Sequence, residues 1–160
     1  MTDKNTPETV EIEDAQSEFV RIADLDGRDI VVFPRTIGKD KGDDGKPYDY
    51  LEADVIVLSG APTDLMTEIP AVVSKMRFTS SPLVRNGERQ IEKAGRLNLT
   101  YPKPFSGRVN SQKGKFGNKA YGVTAWDPDA PVRQLANAEA AKFVQARANA
   151  VTDDAGEFDE

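Results

Sequence analysis

Alternation of apolar and polar residues along the chain predicts its strands. Residues 29–33 form a short β-branched run that is followed by Pro34, so we expect a strand that ends at this proline. Residues 48–58 alternate over a longer stretch and predict a second strand. Between the two, residues 39–47 consist of Gly, Asp, Lys and Pro without an apolar anchor, which is typical of a turn. Together the three segments predict a β-hairpin.

Two helices are also predicted. Pro70 suits the first position of a helix, and residues 71–77 can form two helical turns with their valines and Met76 inward. The alanine-rich residues 132–149 predict a longer helix, which follows a turn at residues 127–131. We therefore expect a short middle helix and a longer C-terminal helix.

Three further segments complete the expected strands. Residues 119–126 and 95–101 alternate as strands, and residues 65–69 are a candidate short strand. The rest of residues 80–118 holds few apolar anchors and many glycines, prolines and basic residues. Four or five strands with two helices predict a mainly β fold, which we interpret as a small barrel with added helices.

Charge is unevenly distributed along the chain. The formal net charge is −6, but residues 1–18 hold six acids and one base, and residues 149–160 hold five acids and no base. In contrast, residues 71–121 hold eleven Lys or Arg against two Glu. A basic middle between acidic ends fits a domain that binds a polyanion.

The same distribution predicts the domain organisation. We expect one folded domain over residues 18–150, between disordered acidic segments at residues 1–17 and 151–160. The chain contains no long uncharged apolar run, and it opens on an acidic segment. We therefore expect neither a membrane span nor a secretory signal, and we place the protein in the cytoplasm of its host.

The residue types exclude several kinds of chemistry. The chain has no Cys and no His, so it can form no Cys–His or Ser–His catalytic pair, no thiolate or imidazole zinc site and no disulfide. Residues 40–45 are Asp-rich, but a calcium loop fails at Gly42 and Leu51, where ligands are required. A phosphate-binding loop fails because Pro47 stands where Ser or Thr is needed. We expect no catalytic residues, no bound metal and no cofactor.

The basic middle contains the candidates for a binding site. Its cations are interleaved with aromatic residues, and this combination is typical of proteins that bind single-stranded nucleic acid, in which cations follow the phosphates and aromatic rings stack on bases. The alternative is that half of these aromatics lie in the core and the lysines form a solvated face. The candidate binding residues are Lys75, Arg77, Arg96, Tyr101, Lys103, Phe105, Arg108, Lys113, Lys115, Phe116, Lys119 and Tyr121.

The order of these features resembles the single-stranded DNA-binding proteins encoded by bacteriophages of actinobacteria. The resemblance lies in the strand at residues 29–33, the charged hairpin loop, the stretch Glu-Ala-Asp-Val-Ile-Val-Leu at residues 52–58, the basic glycine-rich loop and the helix after Asp127 and Pro128. It covers residues 19–148. It implies an OB-like small barrel, no cofactor, and a groove lined by basic and aromatic residues.

We therefore expect a non-enzymatic, sequence-tolerant single-stranded DNA-binding protein that acts in phage-type DNA replication or recombination. Its acidic C-terminal segment resembles the tails with which bacterial single-strand binders recruit replication and repair partners. An alternative is a phage virion structural or decoration protein, which needs neither the basic middle nor the acidic tail. A magnesium-dependent nuclease would need converging acids, yet residues 71–121 hold only Glu88 and Glu92. The sequence leaves open the preference for DNA over RNA and the oligomeric state, a homo-oligomer included.

Overall fold

The structure, a computed structural model, describes residues 19–113 and 119–158. Its elements are a short 3-10 helix (Ile22–Leu25), five strands β1 (Asp29–Lys41), β2 (Pro47–Val57), β3 (Ala71–Phe78), β4 (Phe105–Lys113) and β5 (Lys119–Thr124), and two helices α1 (Ser81–Arg96) and α2 (Val132–Phe158). The strands form one antiparallel sheet in the order β3–β2–β1–β4–β5. The predicted mainly β fold with two helices is confirmed. The sheet is not closed into a barrel, because β3 and β5 remain its edges.

The predicted β1–β2 hairpin is confirmed, but β1 is longer than expected. The expectation that Pro34 ends the first strand is wrong, because β1 pairs with β2 well beyond this residue. Proline is tolerated here for two reasons. Pairing with β2 is irregular between Pro34 and Thr36, and pairing with β4 reaches only to Val32.

The segment predicted as a short helix, residues 71–77, is a strand instead. In β3 the side chains alternate, so that Met76 and Phe78 are buried while Arg77 between them is exposed. The adjacent valines favour a strand because branched side chains pack well on a pleated surface. A middle helix does exist, but it is α1, which begins at Ser81 and has 16 residues.

The strands expected at residues 95–101 and 65–69 are absent from the described part of the chain. α1 continues to Arg96, and the chain is then irregular until β4 begins. β4 was not predicted from the sequence, because most of its residues are polar and only Phe105 and Val109 are apolar.

The main core lies between the sheet and α1. It contains Leu51 of β2, Phe78 of β3 and Leu83 of α1, all of which are fully buried. Gly87 allows α1 to approach β2 closely, since a Cβ atom at this position would lie 2.5 Å from Leu51 Cδ1. Burial of each large apolar side chain contributes about 1.5–3 kcal/mol to folding. Hydrophobic contact therefore holds α1 on this face of the sheet.

The close approach at Gly87 can be tested by adding one methyl group. We expect Gly87→Ala to lower the free energy of unfolding by about 1–3 kcal/mol, because Leu51 or α1 must shift. Gly95→Ala is the matched control in the same helix. Nothing lies within 4 Å of its Cβ position, so alanine should stabilise the protein by about 0.4–1 kcal/mol. Urea unfolding measures both changes, and equal effects would contradict this packing of α1 on β2.

The helix α2 packs on the opposite, outer face of the sheet. Val31 and Phe33 of β1 and Ile56 of β2 form a second buried cluster with Ala136 of α2. The rings of Phe33 and Phe143 lie 4.3 Å apart between centroids. The sheet is thus covered by α1 on one face and by α2 on the other.

The predicted C-terminal helix is confirmed and extends beyond residue 149, because α2 reaches Phe158. Residues 151–158, expected as part of a disordered tail, therefore belong to the helix. Alanines recur up to residue 155 and no proline interrupts the segment, so helix propensity persists although the charge becomes acidic. Within the described residues, no helix is long and apolar enough to cross a membrane.

Candidate nucleic-acid interface

Two of the aromatic candidates, Phe105 and Tyr121, belong to the core side of the sheet. Both are half-buried and pack against the main core. A ring in this position stabilises the fold rather than offering a free face to a base. For these two residues the alternative stated in the sequence analysis holds, in which part of the aromatic residues lie in the core.

Tyr101 is partly exposed but already stacked. The Arg147 guanidinium of α2 lies 3.6 Å from the centre of the Tyr101 ring, and it also lies 5.7 Å from the ring of Phe33. Cation–π contacts of this kind fasten the irregular segment after α1 to the C-terminal helix. The position of Tyr101 therefore indicates that this ring has a structural role.

Arg108 is tied to a buried carboxylate. Its Nε and Nη2 atoms donate to the two carboxylate oxygens of Asp29 at 3.1 and 3.4 Å, and Trp126 Nε1 donates to the same group at 2.8 Å. Asp29 is only 4% exposed, so these donors replace the water that it loses. The contacts join β4, β1 and the segment that leads to α2. Arg108 is therefore positioned chiefly as a structural cation.

This cluster predicts a pH dependence of stability. Burial raises the pKa of the Asp29 carboxyl, but hydrogen bonds from Arg108 and Trp126 lower it more, so the pKa lies below its ordinary value of 3.8. A lowered pKa stabilises the fold above about pH 4, and this contribution is lost as the pH falls through the folded-state value. We expect Asp29→Asn to be less stable than the unchanged protein at pH 7. The difference in urea midpoint should shrink towards pH 3, and a difference that grows would contradict the account.

The exposed side of the β1–β2 hairpin carries an aromatic and cationic surface that we call the hairpin platform, formed by Gly38, Tyr48, Tyr50 and Arg77. The Tyr50 ring lies across Gly38, where any Cβ atom would collide with it. The Arg77 guanidinium lies 4.3 Å from the centre of the Tyr50 ring, and its Nη1 atom lies 3.9 Å from Asp40 Oδ2. Tyr48 lies two residues along the same strand and is 38% exposed. Two aromatic rings and a cation are thus grouped at the surface.

Of these residues, only Arg77 was predicted from the sequence. The tyrosines were not among the candidates, because alternation shows which residues share a face of a strand and does not show which face is covered. The one residue that could have indicated the platform from the sequence is Gly38, which leaves room for the Tyr50 ring. This indication can be used only once the strand register places Gly38 opposite Tyr50.

The end of β3 brings the hairpin platform close to β5. Ser80 lies three residues after Arg77, and its hydroxyl accepts a hydrogen bond from the Tyr121 N–H at 2.9 Å and donates to the Tyr121 carbonyl oxygen. Tyr121 in turn lies two residues after Lys119, where β5 begins. Ser80, which precedes α1, thus joins the end of β3 to β5. The end of β3 therefore adjoins the β1–β2 hairpin through the contact of Arg77 with Tyr50 and the β4–β5 hairpin through the contact of Ser80 with Tyr121, and we call this place the meeting of the two hairpins.

The β4–β5 hairpin carries the densest group of lysines. Its tip, residues 113–119, contains three lysines and no acid, and we call it the lysine-rich hairpin. Lys113 ends β4 and is exposed, and Lys119 begins β5. Lys115 and Phe116, both predicted to bind, lie outside the described residues.

Lys75 lies beside the hairpin platform at a bulge in β3. Its φ angle is 56°, and its backbone N–H donates to Asp54 Oδ1 at 3.0 Å. The same oxygen accepts from Arg35 Nη1 at 3.3 Å. Asp54 therefore holds the bulge in place, and the Lys75 side chain is exposed.

The two remaining candidates lie apart from this group. Arg96 ends α1 and Lys103 lies in the irregular segment that follows, and both are exposed. Arg85, Arg89 and Lys93 share the exposed side of α1 with Arg96. No contact described for α1 joins these cations to the hairpin platform.

Taken together, the exposed groups offer cations and aromatic rings. Among residues 19–113 and 119–158, no group of three or more His, Cys, Asp or Glu residues is placed to hold a metal ion. The arrangement can neutralise phosphates and stack on bases. Searches of protein-family models, curated proteins and solved structures found no match to this chain.

Proposed function

We propose that this protein is a non-enzymatic, sequence-tolerant single-stranded DNA-binding protein. The observation that carries the proposal is the meeting of two hairpins at the end of β3, where Arg77 contacts Tyr50 and Ser80 is hydrogen-bonded to the strand that leads from the lysine-rich hairpin. Stacking of bases on aromatic rings, with cations along the backbone, binds a single strand without reading its sequence.

The sheet supports the same function. An OB-fold is a five-stranded, partly open barrel that binds oligonucleotides on the face of its second and third strands and through the loops β1–β2 and β4–β5. The tyrosines and Arg77 of the hairpin platform lie on β2 and β3, and the lysine-rich hairpin is the β4–β5 connection. An OB-like arrangement would thus place both groups on one path for a strand.

The biological setting rests on the resemblance to phage proteins. On that basis the protein acts in phage-type DNA replication or recombination in the cytoplasm of a bacterial host. Residues 151–160, with five acids and no base, are the segment proposed to recruit replication or recombination proteins.

A binding titration tests the proposal. Fluorescence anisotropy of labelled oligonucleotides, single-stranded and duplex, should show preference for the single strand with little dependence on sequence. With about four to six phosphate contacts, log K should fall with a slope of roughly 3–4 per log unit of salt. Equal affinity for duplex, or no binding at low salt, would refute it.

The hairpin platform predicts a specific loss. Tyr48→Ala should weaken single-strand binding by about 1–3 kcal/mol, because the ring of Tyr48 is 38% exposed and its removal takes away a stacking face. Tyr121→Ala is the informative comparison, since this ring packs on the core and its loss should reduce stability more than affinity. Anisotropy and urea unfolding of both variants separate the two effects. Unchanged binding by Tyr48→Ala would remove this residue from the interface.

A further inference from the structure

A groove runs along the free side of β3. It has a volume of about 790 Å³ and begins at Phe19, the first described residue. Its apolar lining includes Leu65 and Val72, which are 47% and 54% exposed. In the described part of the chain no strand pairs with β3 on this side. Exposed apolar side chains along a sheet edge are an interaction surface that proteins usually cover.

The charge of the groove restricts what can cover it. Its lining includes the cations Arg21, Lys75 and Arg77 and no acidic residue. A second copy of β3 is disfavoured, because antiparallel pairing would bring Lys75 and Arg77 against the same cations of the other copy. An extended segment with apolar and acidic residues in alternation would match both the apolar lining and the charge.

We infer that residues 8–13 of the same chain occupy this groove. Their sequence, Glu-Thr-Val-Glu-Ile-Glu, places Val10 and Ile12 on one side of an extended segment and Glu11 and Glu13 on the other. Val10 and Ile12 contact the apolar lining, while the glutamates neutralise the cations of the rim. The inference does not rest on DNA binding, although Arg77 belongs both to the groove and to the hairpin platform.

The chain is long enough for this contact. Residues 14–18 separate the segment from Phe19, which itself lines the groove. Residues 14–18 can span at most about 18 Å when they are extended. This is a large part of the length of β3, which is about 26 Å for a strand of its size. Residues 8–13 can therefore reach the groove within one chain, and the short tether makes their local concentration high.

Disulfide trapping tests the inference directly, because the natural chain has no cysteine. The test variant carries Val10→Cys and Val72→Cys, and a disulfide between them requires Cα atoms within about 7 Å. The control carries Val10→Cys and Leu97→Cys. Leu97 and Val72 are similarly exposed, at 56% and 54%. Leu97, however, follows α1 and does not line the groove. Because Val72 and Leu97 are both exposed, their replacement by cysteine removes no buried side chain.

Mild oxidation followed by non-reducing electrophoresis reads out the result. We expect the test variant to form an intramolecular disulfide at least tenfold faster than the control. Equal rates would show that the segment has no fixed place, and absence of a disulfide would show that it does not occupy the groove. A disulfide between two chains would assign the groove to another copy's segment. Each of these three results overturns the inference.

Discussion

Replacing Lys113, Lys115 and Lys119 together by Gln should weaken binding to a single-stranded oligonucleotide by about two to three orders of magnitude at about 50 mM salt. Each phosphate contact contributes about 0.7 to the slope of log K against log salt, so losing three should lower that slope by about 2. Anisotropy titrations at several salt concentrations measure both quantities. The effect is large because residues 113–119 hold three lysines and no acid.

The matched control neutralises three cations elsewhere. Arg85, Arg89 and Lys93 are exposed on α1, and changing them to Gln removes the same total charge. We expect a small loss of affinity and an almost unchanged salt slope, because only long-range attraction is altered. An equal loss in both triple variants would mean that DNA binding follows net charge and not the lysine-rich hairpin.

Phe78→Ala should lower the free energy of unfolding by about 3–5 kcal/mol, since the ring is completely buried at the end of β3 between the sheet and α1. Val144→Ala in α2 is the control. Val144 is 45% exposed and does not line the groove beside β3, so its truncation should change stability by less than about 0.5 kcal/mol. Urea unfolding measures both variants. A loss at Phe78 no larger than that at Val144 would contradict the burial of Phe78 between the sheet and α1.

The parts of the fold that alternation predicts well are those with a strong and uninterrupted pattern. The β1–β2 hairpin and α2 are of this kind. α1 was missed because part of its buried face is Gly87, whose packing against Leu51 gives no hydrophobic signal. β3 was assigned to a helix because a short apolar run fits both periodicities, and pairing with β2 decides between them.

The sequence predicted the residue types of the candidate site better than it predicted where those residues lie in the fold. Basic character identified Arg77 and Lys113, which lie at or near the meeting of the two hairpins. Composition alone could not separate Phe105 and Tyr121, which pack on the core, from exposed rings. Tyr50 was missed because its contact with Gly38 depends on strand register.

The most direct test of the central claim is to locate the bound strand. Ultraviolet cross-linking of the protein to a photoreactive oligothymidylate, followed by mass spectrometry of the peptides, identifies the residues in contact. We expect cross-links in two peptides, one with Tyr48 and Tyr50 and one spanning residues 113–119. Cross-links confined to the exposed sides of α1 or α2, under conditions in which anisotropy shows saturation, would contradict binding at the meeting of the hairpins.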